Sequence, residues 1–136
     1  MKTIQLSATM ESLEPLEAFV LEPARALGAP AEMLGDMRLV LEEVLVNIIS
    51  YGYPGSRGDI RVDWTADENG TCRIRIRDWG VPFNPLEAPA PDLDVDFTER
   101  TVGGLGILLV RQLAHDVWYE RDDDSNVLTL CFQLRS

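Results

Sequence analysis

The stretch T-C-R-I-R-I-R-D at 71–78 constrains this chain most. Cys72, Ile74 and Ile76 alternate with Arg73, Arg75 and Arg77, the period-two pattern of a strand with one covered face and one wet face. A second run at 59–65 precedes it across Asp67-Glu68-Asn69-Gly70, so the two read as a hairpin with glycine at the tight position. Something must cover the apolar face, and two helical patterns lie upstream. Residues 11–27 put Leu13, Leu16, Phe19, Val20 and Leu27 on one side, with Pro15 in the first turn and Pro23 marking a kink or end. After Gly28-Ala29-Pro30, a longer pattern runs over 31–52 until Tyr53-Pro54-Gly55-Ser56 stops it. Residues 2–9 alternate Ile4, Leu6 and Ala8 as an edge strand. Downstream, 105–114 is helical again, and strands at 117–120 and 127–134 close around a turn at 122–126. This order predicts an α+β fold, a two-layer α/β sandwich with a largely antiparallel sheet and helices packed on one face. A chain of 136 residues suffices for one domain, taken as 1–136.

Charge and cysteine usage narrow the function classes. A net charge of −11 argues against a surface built for nucleic acid or anionic lipid, since both need clustered Lys and Arg. The N-terminal apolar run is too short for a signal peptide and no stretch reaches membrane-spanning length, so a cytoplasmic location is expected, with neither nucleic acid nor membrane as partner. Cys72 and Cys131 lack metal-ligand spacing and read as buried free thiols.

Three stretches carry candidate chemistry. On the long helix, Leu34, Met37, Leu41, Val44, Leu45 and Ile48 form one apolar stripe. Glu43 and Asn47, four apart, lie together on the other side near Asp36, flanked by Leu39, Val40 and Val46. Such a pair can serve a hard cation and a proton transfer, the amide oxygen joining phosphates and water around magnesium while the carboxylate accepts a proton. Taken alone, the same pair can simply solubilise a helix. In R-D-W-G-V-P-F-N-P at 77–85, Asp78 ends a strand and Gly80 permits a sharp turn. A carboxylate there can accept from an exocyclic amine such as that of adenine, where guanine would present a second acceptor. Alone, it is also an Asp-x-Gly turn before a proline-rich loop. In T-V-G-G-L-G-I at 101–107, glycines lead into a helix, more often a packing feature than a phosphate site. Residues 79–102 are rich in Pro and Asp without periodicity, and loops of that length are usually functional or mobile.

In their fixed order, E-E-V-L-V-N at 42–47, D-W-G-V-P-F at 78–83, G-G-L-G-I at 103–107 and N-V-L-T-L at 126–130 resemble the GHKL (histidine-kinase-like) ATPase superfamily. Within it, the chain is similar to the small anti-sigma-factor serine/threonine protein kinases of bacteria, over essentially its whole length. The resemblance implies the Bergerat fold with ATP and magnesium as cofactors. It assigns Glu43 as general base, Asn47 as magnesium ligand and Asp78 as partner of the adenine amino group, with Gly80 giving the base room. Gly103, Gly104 and Gly106 would border the phosphates, the helix from 105 would aim its N-terminus at them, and Thr129 would help hold the adenine edge. Residues 86–102 would be the ATP lid. The implied activity is phosphorylation of a STAS-type anti-anti-sigma protein by a kinase that also sequesters a sigma factor and is commonly a homodimer.

One departure leaves a second reading open. Ser50 and Tyr51 stand where family members often carry a basic residue and a histidine, with Tyr53 at the aromatic position. A non-catalytic ATP-binding switch of the same fold is therefore the alternative, unless Arg100 in the lid supplies the missing charge. His115 lies outside these motifs and reads as a packed or surface side chain. The ATP-binding half of a histidine kinase fits poorly, because no helix bearing a phosphorylatable histidine precedes the boxes.

Overall fold

A computed structural model of the chain describes residues 1–85 and 110–134. Five strands form one sheet among these residues: β1 (Lys2–Ser7), β2 (Asp59–Ala66), β3 (Thr71–Asp78), β4 (Asp116–Asp122) and β5 (Ser125–Gln133). Their spatial order is β1-β2-β3-β5-β4, with every neighbouring pair antiparallel. The helices α1 (Leu13–Ala26) and α2 (Ala31–Asn47) pack on one face. The fold is the expected α+β sandwich, and β1 is an edge strand.

The alternation in β3 sorts the residues as its chemistry requires. Cys72, Ile74 and Ile76 are buried, and opposite them on β5 stand Phe132, Leu130 and Leu128. Ile60 and Val62 of β2 join the same face, where Leu16, Val20, Met37, Leu41 and Leu45 of the two helices meet them. Each such side chain contributes about 1.5–3 kcal/mol by leaving water. The other face carries Arg73, Arg75 and Arg77, with Arg73 over the Trp118 ring at 5.5 Å and Arg77 donating to Ser125 Oγ at 2.7 Å. Both cysteines are free and buried, but Cys72 faces the helices and Cys131, opposite Arg73, faces away. Burial pushes the Cys72 thiol up to about 12, so it stays protonated.

The elements depart from their expected bounds at three places, each for a local reason. Pro23 does not end α1, which continues to Ala26 and closes where Gly28 takes φ 95°. Five residues before the expected end of the second helix, α2 gives way to a π-type turn, Ile48–Gly52. The last hairpin is tighter than a turn at 122–126, because Asp123 adopts the left-handed region at φ 56° and lets the strands resume at Ser125. Only the end of the third helical pattern, closing with the Ala114 N–H on the Val110 carbonyl at 3.0 Å, falls within the described residues.

Candidate functional site

The C-terminal end of β3 delivers Asp78 to a point where three segments meet. Register pairs it with Ile60 on β2 and with Asn126 on β5. Its side chain is buried, and it accepts from the Gly80 N–H at 2.9 Å and the Asn126 amide at 3.0 Å. Both bonds fall on Oδ1. Among the described residues Oδ2 accepts none, so it keeps its acceptor capacity. Burial pushes the Asp78 carboxyl above its ordinary value, while the Asn126 and Gly80 donors and the nearby Arg121 charge pull it back.

The loop after Asp78 is held almost entirely through its backbone. Arg121 Nη1 donates to the Gly80 carbonyl at 3.0 Å, and the Asn126 amide donates to the Val81 carbonyl at 2.8 Å. The Val81 N–H donates to the Gly52 carbonyl at 3.0 Å, and the Phe83 N–H to Asn126 Oδ1 at 3.2 Å. Tyr53 adds a brace from another segment: its hydroxyl accepts from the Trp79 N–H at 2.7 Å and donates to the Asp59 carbonyl at 2.6 Å. Asn126 is the hub. Its Oδ1 also accepts from the Tyr119 hydroxyl and from Arg121 at 3.2 Å, so this side chain is spent on positioning.

Gly80 is glycine for a contact rather than for open space. A Cβ there would lie 2.1 Å from the Gly52 carbonyl oxygen, which the expected role of leaving room for a base does not describe. The close approach joins the end of β3 to the π-type turn after α2. A Cβ on Gly52 would in turn stand 3.4 Å from Ile48 Cγ2 and 3.9 Å from Asp78 Oδ1, so the π-type turn that follows Glu43 and Asn47 closes against the Asp78 carboxylate.

On α2, Glu43 and Asn47 are both half-buried, and the Asn47 amide nitrogen donates to Glu43 Oε1 at 3.1 Å. An ionised carboxylate only accepts, so this bond fixes which end of the amide faces Glu43 and leaves the amide oxygen for something else. Among the described residues no three His, Cys, Asp or Glu groups are gathered as a metal site. A magnesium ion held here would take one oxygen from Asn47 and the rest from phosphate and water, the ligation that ion favours.

Thr129 does not join this constellation. It pairs with Arg75 on β3 and Trp118 on β4, on the sheet face away from Asp78 and the helices. The β5 residue beside Asp78 is Asn126, three positions earlier and on the opposite pleat. Gly103, Gly104, Gly106, Arg100 and the expected lid at 86–102 lie outside the described residues. Arg121 and Gly52 were not singled out from the sequence, Tyr53 was named only as the aromatic position, and Asn126 only as the first residue of N-V-L-T-L. One signal for Asn126 was present, because Leu128, Leu130 and Phe132 already mark the inward pleat that Asn126 shares.

The histidine kinase-like ATPase domain family matches residues 6–132. The chain belongs to that family. Its relatives include the serine/threonine-protein kinase BtrW of Bordetella bronchiseptica, 30% identical over 95 residues that span 69% of this chain and 66% of BtrW. The serine-protein kinase RsbW of Listeria monocytogenes is 25% identical over 131 residues, 93% of this chain and 83% of that protein. Among solved structures, the RsbU and RsbW domains of Rv1364c from Mycobacterium tuberculosis superpose with a TM-score of 0.66 at 15% identity, covering all of this chain and 34% of theirs. The histidine kinase domain of the Erythrobacter litoralis EL346 blue-light activated histidine kinase gives 0.60 at 18% identity, over 90% of this chain and 61% of that one. These superpositions show a shared fold. Among the described residues no helix is long and apolar enough to cross a membrane.

Proposed function

We propose that this family member is an ATP- and magnesium-dependent serine/threonine protein kinase, acting on a STAS-type anti-anti-sigma protein and sequestering a sigma factor, as a homodimer in the cytoplasm. The observation that carries the nucleotide reading is the buried Asp78, whose two internal bonds both fall on Oδ1. Oδ2 is then the acceptor for the adenine amino group, and a guanine carbonyl would meet it as a repelling acceptor. Support for the protein substrate comes from relatives named serine/threonine-protein kinase at 30% identity and serine-protein kinase at 24–25% identity.

Phosphoryl transfer asks a protein mainly for positioning and charge stabilisation. Asn47 would hold a magnesium ion through its amide oxygen, and that ion would supply charge neutralisation for the phosphates. Glu43, oriented by the Asn47 amide, takes the proton of the substrate hydroxyl as its oxygen attacks the γ-phosphorus, with ADP leaving. Gly103, Gly104 and Gly106 border the phosphates in this reading, and 86–102 closes over them.

The test is transfer from labelled ATP to a STAS-domain partner by Glu43→Gln. Transfer falls at least about a hundredfold, the usual contribution of a general base, while ATP affinity stays within about twofold. Unchanged transfer removes Glu43 as the base. The alternative, an ATP-binding switch without transferase activity, draws on Ser50 and Tyr51 standing at positions where a basic residue and a histidine are usual. Partner binding that depends on ATP, with no phosphate transferred by the unaltered protein, decides for it.

A further inference from the structure

Three side chains stand in a row across the sheet at the end that carries the candidate site. Arg121 on β4 lies directly opposite Asn126 on β5, and Asn126 lies directly opposite Asp78 on β3, so all three share one pleat. Side chains paired in this way are close enough to bond across neighbouring strands. Here they do: Arg121 Nη1 donates to Asn126 Oδ1 at 3.2 Å, and Asn126 Nδ2 donates to Asp78 Oδ1 at 3.0 Å. The same Nη1 donates to the Gly80 carbonyl at 3.0 Å, and the Gly80 N–H donates to Asp78 Oδ1 at 2.9 Å. Arg121 thus reaches the carboxylate by two routes, through Asn126 and through Gly80, and both end on Oδ1.

The acceptors of Arg121 are uncharged oxygens: the Gly80 carbonyl, the Asn126 amide and, from Nε at 3.2 Å, the Asp123 carbonyl. No carboxylate is paired with it among the described residues. Its charge therefore bears on Asp78, the carboxylate next in line, and a cation on an amide oxygen strengthens the donation from that amide's nitrogen. The other groups around Asp78 do not compete for this role. Ile60 and Gly52 carry no charge, and the Tyr53 hydroxyl, raised above its ordinary value by burial, stays neutral at pH 7. Asp59 sits on the opposite pleat with the Gln5 amide at 3.0 Å, Asp122 pairs with Arg77, and Glu43 on α2 is held by Asn47.

We propose that Arg121 is a positioning residue for the nucleotide base, holding Asp78 through Asn126 and Gly80 so that Oδ1 is occupied and Oδ2 is presented as an acceptor. This role rests on the adenine reading of Asp78. Recognition then needs the ionised form: with two N–H groups on Oδ1, a proton would sit on Oδ2 and meet the adenine amine as a second donor. Arg121 keeps the ionised form populated to lower pH.

Two measurements test this. The carbon-13 resonance of the Asp78 carboxyl, assigned by its absence in Asp78→Asn, is followed against pH without nucleotide, and calorimetry with magnesium and ATP covers the same range. Arg121→Met keeps the aliphatic stem and drops the charge, so the Asp78 midpoint moves to higher pH and the acid loss of ATP affinity begins at higher pH too. At pH 7 its ATP affinity falls about tenfold, the worth of a hydrogen bond to a charged group. Arg121→Lys restores the charge and returns the midpoint toward that of the native protein, but its single ammonium lacks the fork and recovers only part of the affinity. A brace with no electrostatic role lowers Tm in both variants and leaves the Asp78 midpoint in place, which overturns the proposal. If the native protein binds no ATP, the nucleotide reading fails and this role with it; ATP bound equally by the native protein and Arg121→Met overturns this role alone.

Discussion

Asp78 is a side chain that is costly to the fold yet held firmly in place at the proposed site. Burial raises its pKa above the unfolded value, so its contribution to stability is fully present below the unfolded pKa near 4 and is lost as pH rises through the folded one. At neutral pH the ionised carboxylate is a standing cost. In Asp78→Asn, the amide oxygen can still accept from Gly80 and Asn126 while the NH2 takes the place of Oδ2. The substitution should therefore leave Tm equal or higher at pH 7, with the advantage over the native protein shrinking toward pH 4. Thermal melts across that range check this, and a lower Tm for Asp78→Asn at pH 7 contradicts it.

At the scale of elements, the site is a junction between the end of β3, the π-type turn after α2 and the start of β5. Gly80→Ala forces a methyl toward the Gly52 carbonyl, a clash with backbone that no rotamer change relieves. It should cost about 3 kcal/mol, the upper part of the range for overpacking, read by urea denaturation. Asn126→Ala strips partners from Asp78, Val81, Phe83, Tyr119 and Arg121 together, and should cost about 2–4 kcal/mol while weakening ATP binding. Thr129→Val, on the far pleat, should leave ATP affinity within about twofold because it removes no group from this face. A loss in Thr129→Val equal to that in Asn126→Ala would contradict the assignment. The elements themselves were legible in the alternation of 72–77 and the stripe of the long helix. The junction was not. Gly52 and Gly80 are far apart in sequence, and nothing local in either stretch reveals that one fills the space the other leaves. Thr129 was drawn to the site by motif wording, whereas the pleat of β5 assigns that place to Asn126.

At the scale of the whole molecule, the sheet separates two ends. One end gathers Asp78, Gly80 and the close of α2; the other holds the β2–β3 hairpin. The pairing of helices with one sheet face follows from local patterns that all agree, which is why the architecture was readable from the chain alone. The glycines at 103–106 were readable only as part of a motif order, since a glycine cluster has no side chains to declare what it approaches. The family match over 6–132 accords with that order. On the proposed reading, Asp78 recognises adenine. Calorimetric titration of the full chain with magnesium and ATP tests it most directly, with GTP and the Asp78→Asn protein as comparisons. One ATP per chain is expected, with affinity about thirtyfold or more lower for GTP and for Asp78→Asn, since each leaves a buried polar group facing the wrong partner. ATP binding unchanged in Asp78→Asn, or GTP bound as tightly as ATP, would contradict the account.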